Sequence, residues 1–157
     1  MKQIYDLEQI RENSAAVADY LTSVGAEYPA FSRRKRAYHL DSGVVKELKR
    51  LADRFSVVVF SAEWCPDCAR NVPVLGLIAE ATGLEVRVFG GLKRDTINPG
   101  ELWRIPPSPP EVRAFDVVKI PLIVVLNSRG EKVGEIVENP PEGKSLEETL
   151  LSLLKSA

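Results

Sequence analysis

The chain has two cysteines, and both stand in one pentapeptide, Trp64-Cys65-Pro66-Asp67-Cys68. Two thiols at this spacing can close a disulfide with each other or supply half of a tetrahedral zinc site. Zinc normally requires four ligands, and His39 is the only histidine, so no metal is expected. The chemistry left to the pair is reversible thiol–disulfide exchange, in which a thiolate attacks a disulfide sulfur.

That chemistry needs one thiol ionised and positioned. A β-type run, Ser56-Val-Val-Val-Phe60, precedes the motif, and a helix-type run, residues 69–81, follows it. A helix starting at the motif directs its free N–H groups and the positive end of its dipole at Cys65, which favours the thiolate. Pro66 suits the first turn, because its ring presets φ and its missing N–H would have had no partner there. Asp67 has two readings: a good first-turn residue facing the helix dipole, or a group that takes part in proton transfer. Its carboxylate opposes ionisation of Cys65, and no histidine or lysine inside the motif offsets it. The expected result is a Cys65 pKa of about 7, far from the ~3.5 of the strongest disulfide oxidants. Cys65, preceding the helix, is expected to be the exposed thiol, and Cys68, one turn in, the shielded one.

The surrounding elements follow from periodicity. Residues 7–24 carry Leu7, Ile10, Val17, Ala18 and Leu21 at three- and four-residue spacing, predicting one amphipathic helix that Gly25 stops. Residues 28–40 read as irregular and hold the basic run Arg33-Arg-Lys-Arg36, taken as a solvated surface. Asp41 or Ser42 can cap a helix over residues 44–54. Residues 57–62 form an unbroken apolar run, as in a strand buried on both faces. After the motif helix, Thr82-Gly83 is a stop and residues 84–89 a second strand, giving a parallel βαβ unit. Residues 90–110 hold five prolines. A short helix over 99–104 fits there, Arg94-Asp95 reads as a surface pair, Trp103 as a core residue, and Pro106 to Pro110 as a stiff connector or active-site rim. A helix over 111–118 is followed by Ile120-Pro121 and the β run Leu122-Ile-Val-Val-Val-Leu126. A turn at Asn127-Ser-Arg-Gly130 and a strand over 131–137 complete a hairpin, and Ser145 with Glu148 opens a final helix in capping-box form.

At these residues the chain resembles the thioredoxin family. Val57-Val-Val-Phe-Ser-Ala-Glu-Trp-Cys-Pro-Asp-Cys68 resembles the strand and active site of thioredoxins, and Ile120-Pro121 resembles their cis-proline loop. The hairpin with Gly130 and the last helix resemble the closing elements. Trp-Cys-Pro-Asp-Cys followed by Arg70-Asn71-Val72-Pro73-Val74 is similar to the subgroup with a Trp-Cys-(Gly/Pro)-Asp-Cys site. The resemblance covers residues 44–157 and implies an α/β fold, a central mixed sheet flanked by helices, in one domain spanning 1–157. Residues 1–42 would be an added N-terminal helix on that core of 43–157.

The resemblance implies Cys65 as the attacking and Cys68 as the resolving cysteine. Trp64 would shield the motif and contact partners, while Pro121, in cis, would set the Ile120 backbone beside the sulfurs to receive an extended substrate. One departure stands out: the family's buried aspartate in the central strand is replaced by Val59, leaving Asp67 as the nearest visible substitute in proton transfer. The implied activity is reduction of disulfides in proteins or small molecules, with no cofactor and with an external reductant such as a thioredoxin-reductase-like enzyme. The rival reading is a binding module that uses the Trp64/Pro121 surface without turnover. A peroxide-removing enzyme on this fold would need a peroxidatic cysteine in another setting, and there is no third cysteine.

Composition bounds these readings. A formal net charge of -1 over 157 residues argues for neither nucleic-acid nor membrane partners. No apolar stretch is long enough to span a bilayer, and the polar N-terminus lacks a signal-peptide core. A reducing cytoplasm is therefore the expected location, where a paired C-x-x-C works as a redox couple rather than a permanent cross-link.

Overall fold

The computed structural model describes residues 3–93, 97, 103 and 109–157. The expected 99–104 helix apart from Trp103, the Arg94–Asp95 pair and residues 106–108 of the proline connector lie outside the described residues. The chain builds a five-stranded sheet in the order β1-β3-β2-β4-β5. Its strands are β1 (Ala15–Ala16), β2 (Phe55–Phe60), β3 (Glu85–Phe89), β4 (Leu122–Asn127) and β5 (Lys132–Val137). β2 pairs parallel with β3, Val59 facing Val88, and antiparallel with β4, Val59 facing Ile123. β1 and β5 are antiparallel to their neighbours, so the sheet is mixed. Val57, Val58, Val59 and Phe60 are fully buried, the condition in which a strand reads as a continuous apolar run.

Among the described residues seven helices flank the sheet: α1 (Leu7–Asn13), α2 (Val17–Gly25), α3 (Pro29–Ala37), α4 (Ser42–Leu51), α5 (Pro66–Thr82), α6 (Glu111–Ala114) and α7 (Leu146–Lys155). α5 crosses from β2 to β3 and packs against α2, α3, α4 and α7. The capping signals act as the sequence predicts. The Asp41 carboxylate accepts from Gly43 and Val44 N–H at 2.9 and 3.1 Å, Ser145 Oγ accepts from Glu148 N–H at 3.0 Å, and Gly83 closes α5 in the left-handed conformation.

Three elements differ from expectation. The single helix over 7–24 is two helices with β1 between them. Ala15 and Ala16 pair with Val88 and Arg87 along the edge of β3. Arg87 donates to the Ser14 and Arg11 carbonyls at 2.7 and 2.9 Å, satisfying groups that a continuous helix would have bonded internally. The basic run expected in irregular chain lies in α3. Pro29 starts that helix, and tertiary contacts hold it: Phe31 is buried, Arg34 donates to the Arg70 carbonyl at 2.9 Å, and Lys35 pairs with Glu80 at 2.7 Å. The helix expected over 111–118 ends at Ala114, because Asp116 takes a left-handed φ of 52°.

Residues before α4 therefore contribute three helices and an edge strand rather than one added helix. Their start is tied to the far hairpin, where Tyr5 N–H donates to the Gly130 carbonyl at 2.8 Å. Gly130 is required twice over: its φ is +82°, and a Cβ there would collide with the Tyr5 carbonyl.

Candidate functional site

The site forms where β2 hands the chain to α5. Ser61 N–H donates to the Phe89 carbonyl at 2.9 Å, extending the β2–β3 pairing by one residue. The chain then turns, with Cys65 N–H bonded to the Ala62 carbonyl at 3.2 Å. Cys65 is the N-cap of α5 and Pro66 its first helical residue. The Cys65 sulfur thus occupies the place where capping oxygens usually sit, and it accepts from Cys68 N–H at 3.4 Å. Cys68 lies one turn in, completely buried, while Cys65 retains 7% of its surface. Cys65 is the more accessible of the two but is itself a buried residue. The expectation of an exposed thiol is corrected to one that is buried but less completely than Cys68.

Part of the cover is the loop before β4. The Ile120–Pro121 bond is cis, and the Ile120 carbonyl oxygen stands 3.8 Å from Cys65 Sγ. The Pro121 carbonyl accepts from Glu138 N–H at 2.8 Å, which anchors this loop to the end of β5. Ile120 and Pro121 are buried. Trp64 stands on the other side of the motif, 56% exposed. Its indole N–H donates to the Leu92 carbonyl at 3.3 Å, and its ring stacks on Trp103 at 6.0 Å between centroids. Trp103 is buried, as expected of a core residue, and its N–H donates to the Val118 carbonyl at 2.6 Å. It is also the platform beneath Trp64, a role that periodicity does not reveal.

The two thiols titrate in opposite directions. A hydrogen bond from the Cys68 side chain, helped by the Cys68 and Asp67 backbone N–H groups, holds Cys65 down to about 6. Burial and the Asp67 carboxylate oppose this. The thiolate is favoured more than the sequence predicts, because the sequence reading weighed the helix end and Asp67 but not the second thiol as a donor. Cys68 is pushed up, first by that same bond to Cys65 and then by burial.

Asp67 is paired: its carboxylate lies 3.2 Å from the Arg70 guanidinium, one turn along α5. Arg70 supplies the compensating cation that is absent inside the motif. Val59, at the position of the missing aspartate, is fully buried in the sheet. The sequence reading also missed Tyr20 and its partners. Tyr20 Oη lies 2.9 Å from Ser61 Oγ and donates to Glu63 Oε2 at 2.8 Å. Ser61 and Glu63 directly precede the motif in sequence. Nothing local announces Tyr20, which comes from α2. Among the described residues no group of three or more His, Cys, Asp or Glu gathers to hold a metal ion, and His39 is an exposed loop residue.

The depressed Cys65 pKa predicts a pH profile. Below about 6 the alkylation rate of Cys65 by iodoacetamide should fall tenfold per unit as the thiolate is lost, and above it the rate should level off. An ordinary thiol would still be gaining rate up to about 8.5. Asp67→Asn removes a neighbouring negative charge and should move the midpoint down, whereas Arg70→Ala exposes that charge and should move it up. Both shifts should be a few tenths of a unit, since the pair is partly solvated. Midpoints that stay put in both variants would refute a role for Asp67 in tuning Cys65.

Comparison with known proteins bears on the fold and the family. A family model described as thioredoxin matches residues 12–96, just over half of the chain. An HIV epitope-scaffold crystal structure is similar over 98% of this chain and 99% of its own, at 19% identity and a TM-score of 0.69. A protein of unknown function from Pseudomonas aeruginosa is similar over 98% of this chain and 89% of its own, at 20% identity and a TM-score of 0.64. No curated protein matches the chain.

Proposed function

The chain belongs to the thioredoxin family, and from that premise we propose that it is a thiol–disulfide oxidoreductase whose working pair is Cys65 and Cys68. The observation that carries this reading is the asymmetry of the pair. One sulfur caps a helix, faces the cis-proline loop and is held as thiolate near neutral pH, and the other is fully buried and keeps its proton.

In this reading the Cys65 thiolate attacks one sulfur of a substrate disulfide. The substrate S–S bond breaks, the departing sulfur takes up a proton, and Cys65 is left in a mixed disulfide. Cys68 loses its proton and attacks Cys65 Sγ. The second substrate thiol departs, and the two cysteines end as a disulfide, having passed two electrons to the substrate. Pro66 and Asp67 tune the pair. Trp64, Ile120 and Pro121 form the contact surface, on which an extended segment of a disulfide-containing protein would lie beside the sulfurs. An external dithiol donor, of the thioredoxin-reductase type or a small thiol, must restore the dithiol. The reaction suits a reducing cytoplasm, where such a donor is available.

The exposure of Trp64 on its Trp103 platform favours a second reading, a binding module without turnover. A redox titration separates the two. In glutathione buffers the oxidoreductase should lose and regain both thiols together, with a midpoint of roughly −270 to −180 mV, because Cys65 is somewhat more acidic than a thioredoxin thiol of about 7. Thiols that fail to pair with each other across that range would favour the binding module.

A further inference from the structure

Exchange leaves one proton unaccounted for. Cys68 must become a thiolate before it can attack the mixed disulfide; in the dithiol its bond to Cys65 and then its burial hold the proton on, and once Cys65 is tied to substrate the burial remains. Val59 offers no acceptor from the sheet, and Asp67 is occupied at the surface with Arg70. The structure supplies a different path. The buried Ser61 hydroxyl acts on the Cys68 thiol as a donor that favours its ionised form. Ser61 Oγ is 2.9 Å from Tyr20 Oη, and Tyr20 Oη is 2.8 Å from Glu63 Oε2. Ser61 is fully buried and Tyr20 6% exposed, whereas Glu63 is only partly buried. The chain of hydroxyls therefore leads from the sealed sulfur to a carboxylate that meets solvent. Gly91 N–H fixes that carboxylate with a 3.0 Å bond, and the absence of a side chain at Gly90 leaves the space the Tyr20 ring fills.

We propose that Ser61, Tyr20 and Glu63 carry the Cys68 thiol proton out of the site, so that Cys68 can resolve the mixed disulfide, and that the N-terminal segment serves catalysis by supplying Tyr20. The Cys68 proton passes to Ser61 Oγ as the Ser61 proton passes to Tyr20 Oη and the Tyr20 proton to Glu63 Oε2. The net change is a Cys68 thiolate and a protonated Glu63, which then loses its proton to water. The reoriented Ser61 hydroxyl donates to the new thiolate. Tyr20, pushed up by burial, never stands as a phenolate; it hands on one proton as it receives another. Ser61 is the member of the path that acts on the Cys68 thiol itself, while Tyr20 and Glu63 act through it as positioning residues. The titratable groups facing this path are Cys65 from the motif, Tyr20 from α2 and Glu63 from the loop after β2. Asp67 and its partner Arg70 act on Cys65 from α5.

The proposal rests on the oxidoreductase reading, and stopped-flow reaction with dithiobis(nitrobenzoate) tests the two separately. Attack by Cys65 releases a first thionitrobenzoate, and resolution by Cys68 releases a second. Tyr20→Phe deletes one oxygen without changing the packing, and Glu63→Gln keeps an acceptor for Gly91 N–H. Both should leave the first phase unchanged and slow the second about tenfold or more at neutral pH. The deficit should shrink as pH rises and hydroxide removes the proton directly. A second phase at wild-type speed in both variants overturns the relay and leaves the oxidoreductase standing. Slowing by the same factor at every pH also overturns it, since that marks displaced packing. Absence of both phases in the wild-type protein overturns the oxidoreductase and the relay together.

Discussion

Replacing Cys65 with serine is expected to reduce disulfide exchange to the rate of the free reductant, a loss of about a thousandfold or more. In the proposed exchange the nucleophile is the Cys65 sulfur, held as thiolate because Cys68 and the first N–H groups of α5 donate to it. A serine hydroxyl stays protonated in the same place, and its oxygen cannot form the disulfide through which electrons pass. The substitution leaves the fold intact, since serine is among the best N-cap residues and its oxygen can accept from Cys68 N–H as the sulfur does. Loss of activity with an unchanged melting temperature therefore isolates chemistry from stability. The check is reduction of a protein disulfide with dithiothreitol as terminal reductant, followed with a melting curve for each protein. Residual activity above a tenth of wild type would place the nucleophile elsewhere.

The parts of this molecule that the sequence makes legible are those whose cause is local. β2 reads as a buried strand because it is apolar on both faces, and it is buried on both. The helix caps at Asp41, Ser145 and Gly83 depend on residues two to four positions away, and each acts as its type predicts. The cysteine pair shares one helical turn, so its asymmetry follows from which residue precedes the helix. Ile120-Pro121 is legible as a dipeptide opening a strand, although its approach to Cys65 spans 55 positions.

What the sequence hides is set by partners far along the chain. The break between α1 and α2 has no glycine or proline to announce it. It follows from the free edge of β3 and from Arg87, which reaches back 73 positions to Ser14. α3 is too polar for its pattern to predict a helix, and it stands because Phe31 finds Tyr20 and Arg34 finds the α5 backbone. The same holds in the site. Tyr20 and Ser61 are 41 positions apart, and neither residue type signals proton transfer when read alone. Arg70 is the exception: its place one turn after Asp67 is a local i,i+3 ion-pair signal, and that pairing moderates the effect of the Asp67 charge on Cys65.

Cys68→Ser is expected to convert a fleeting intermediate into a stable product, the second large effect of this account. With the resolving sulfur gone, Cys65 still attacks, but nothing within the protein can displace the substrate from it. The serine hydroxyl is smaller than the thiol it replaces and fits the buried site. Incubating this variant with a disulfide-containing protein, quenching with acid and weighing the Cys65 peptide by mass spectrometry is the most direct test of the central claim. Exchange through Cys65 and Cys68 predicts a substrate thiol linked to Cys65 in most molecules of the variant, released by dithiothreitol and absent from the wild-type protein. A variant that accumulates no such adduct, with its Cys65 thiol shown to be free and reduced, would contradict it.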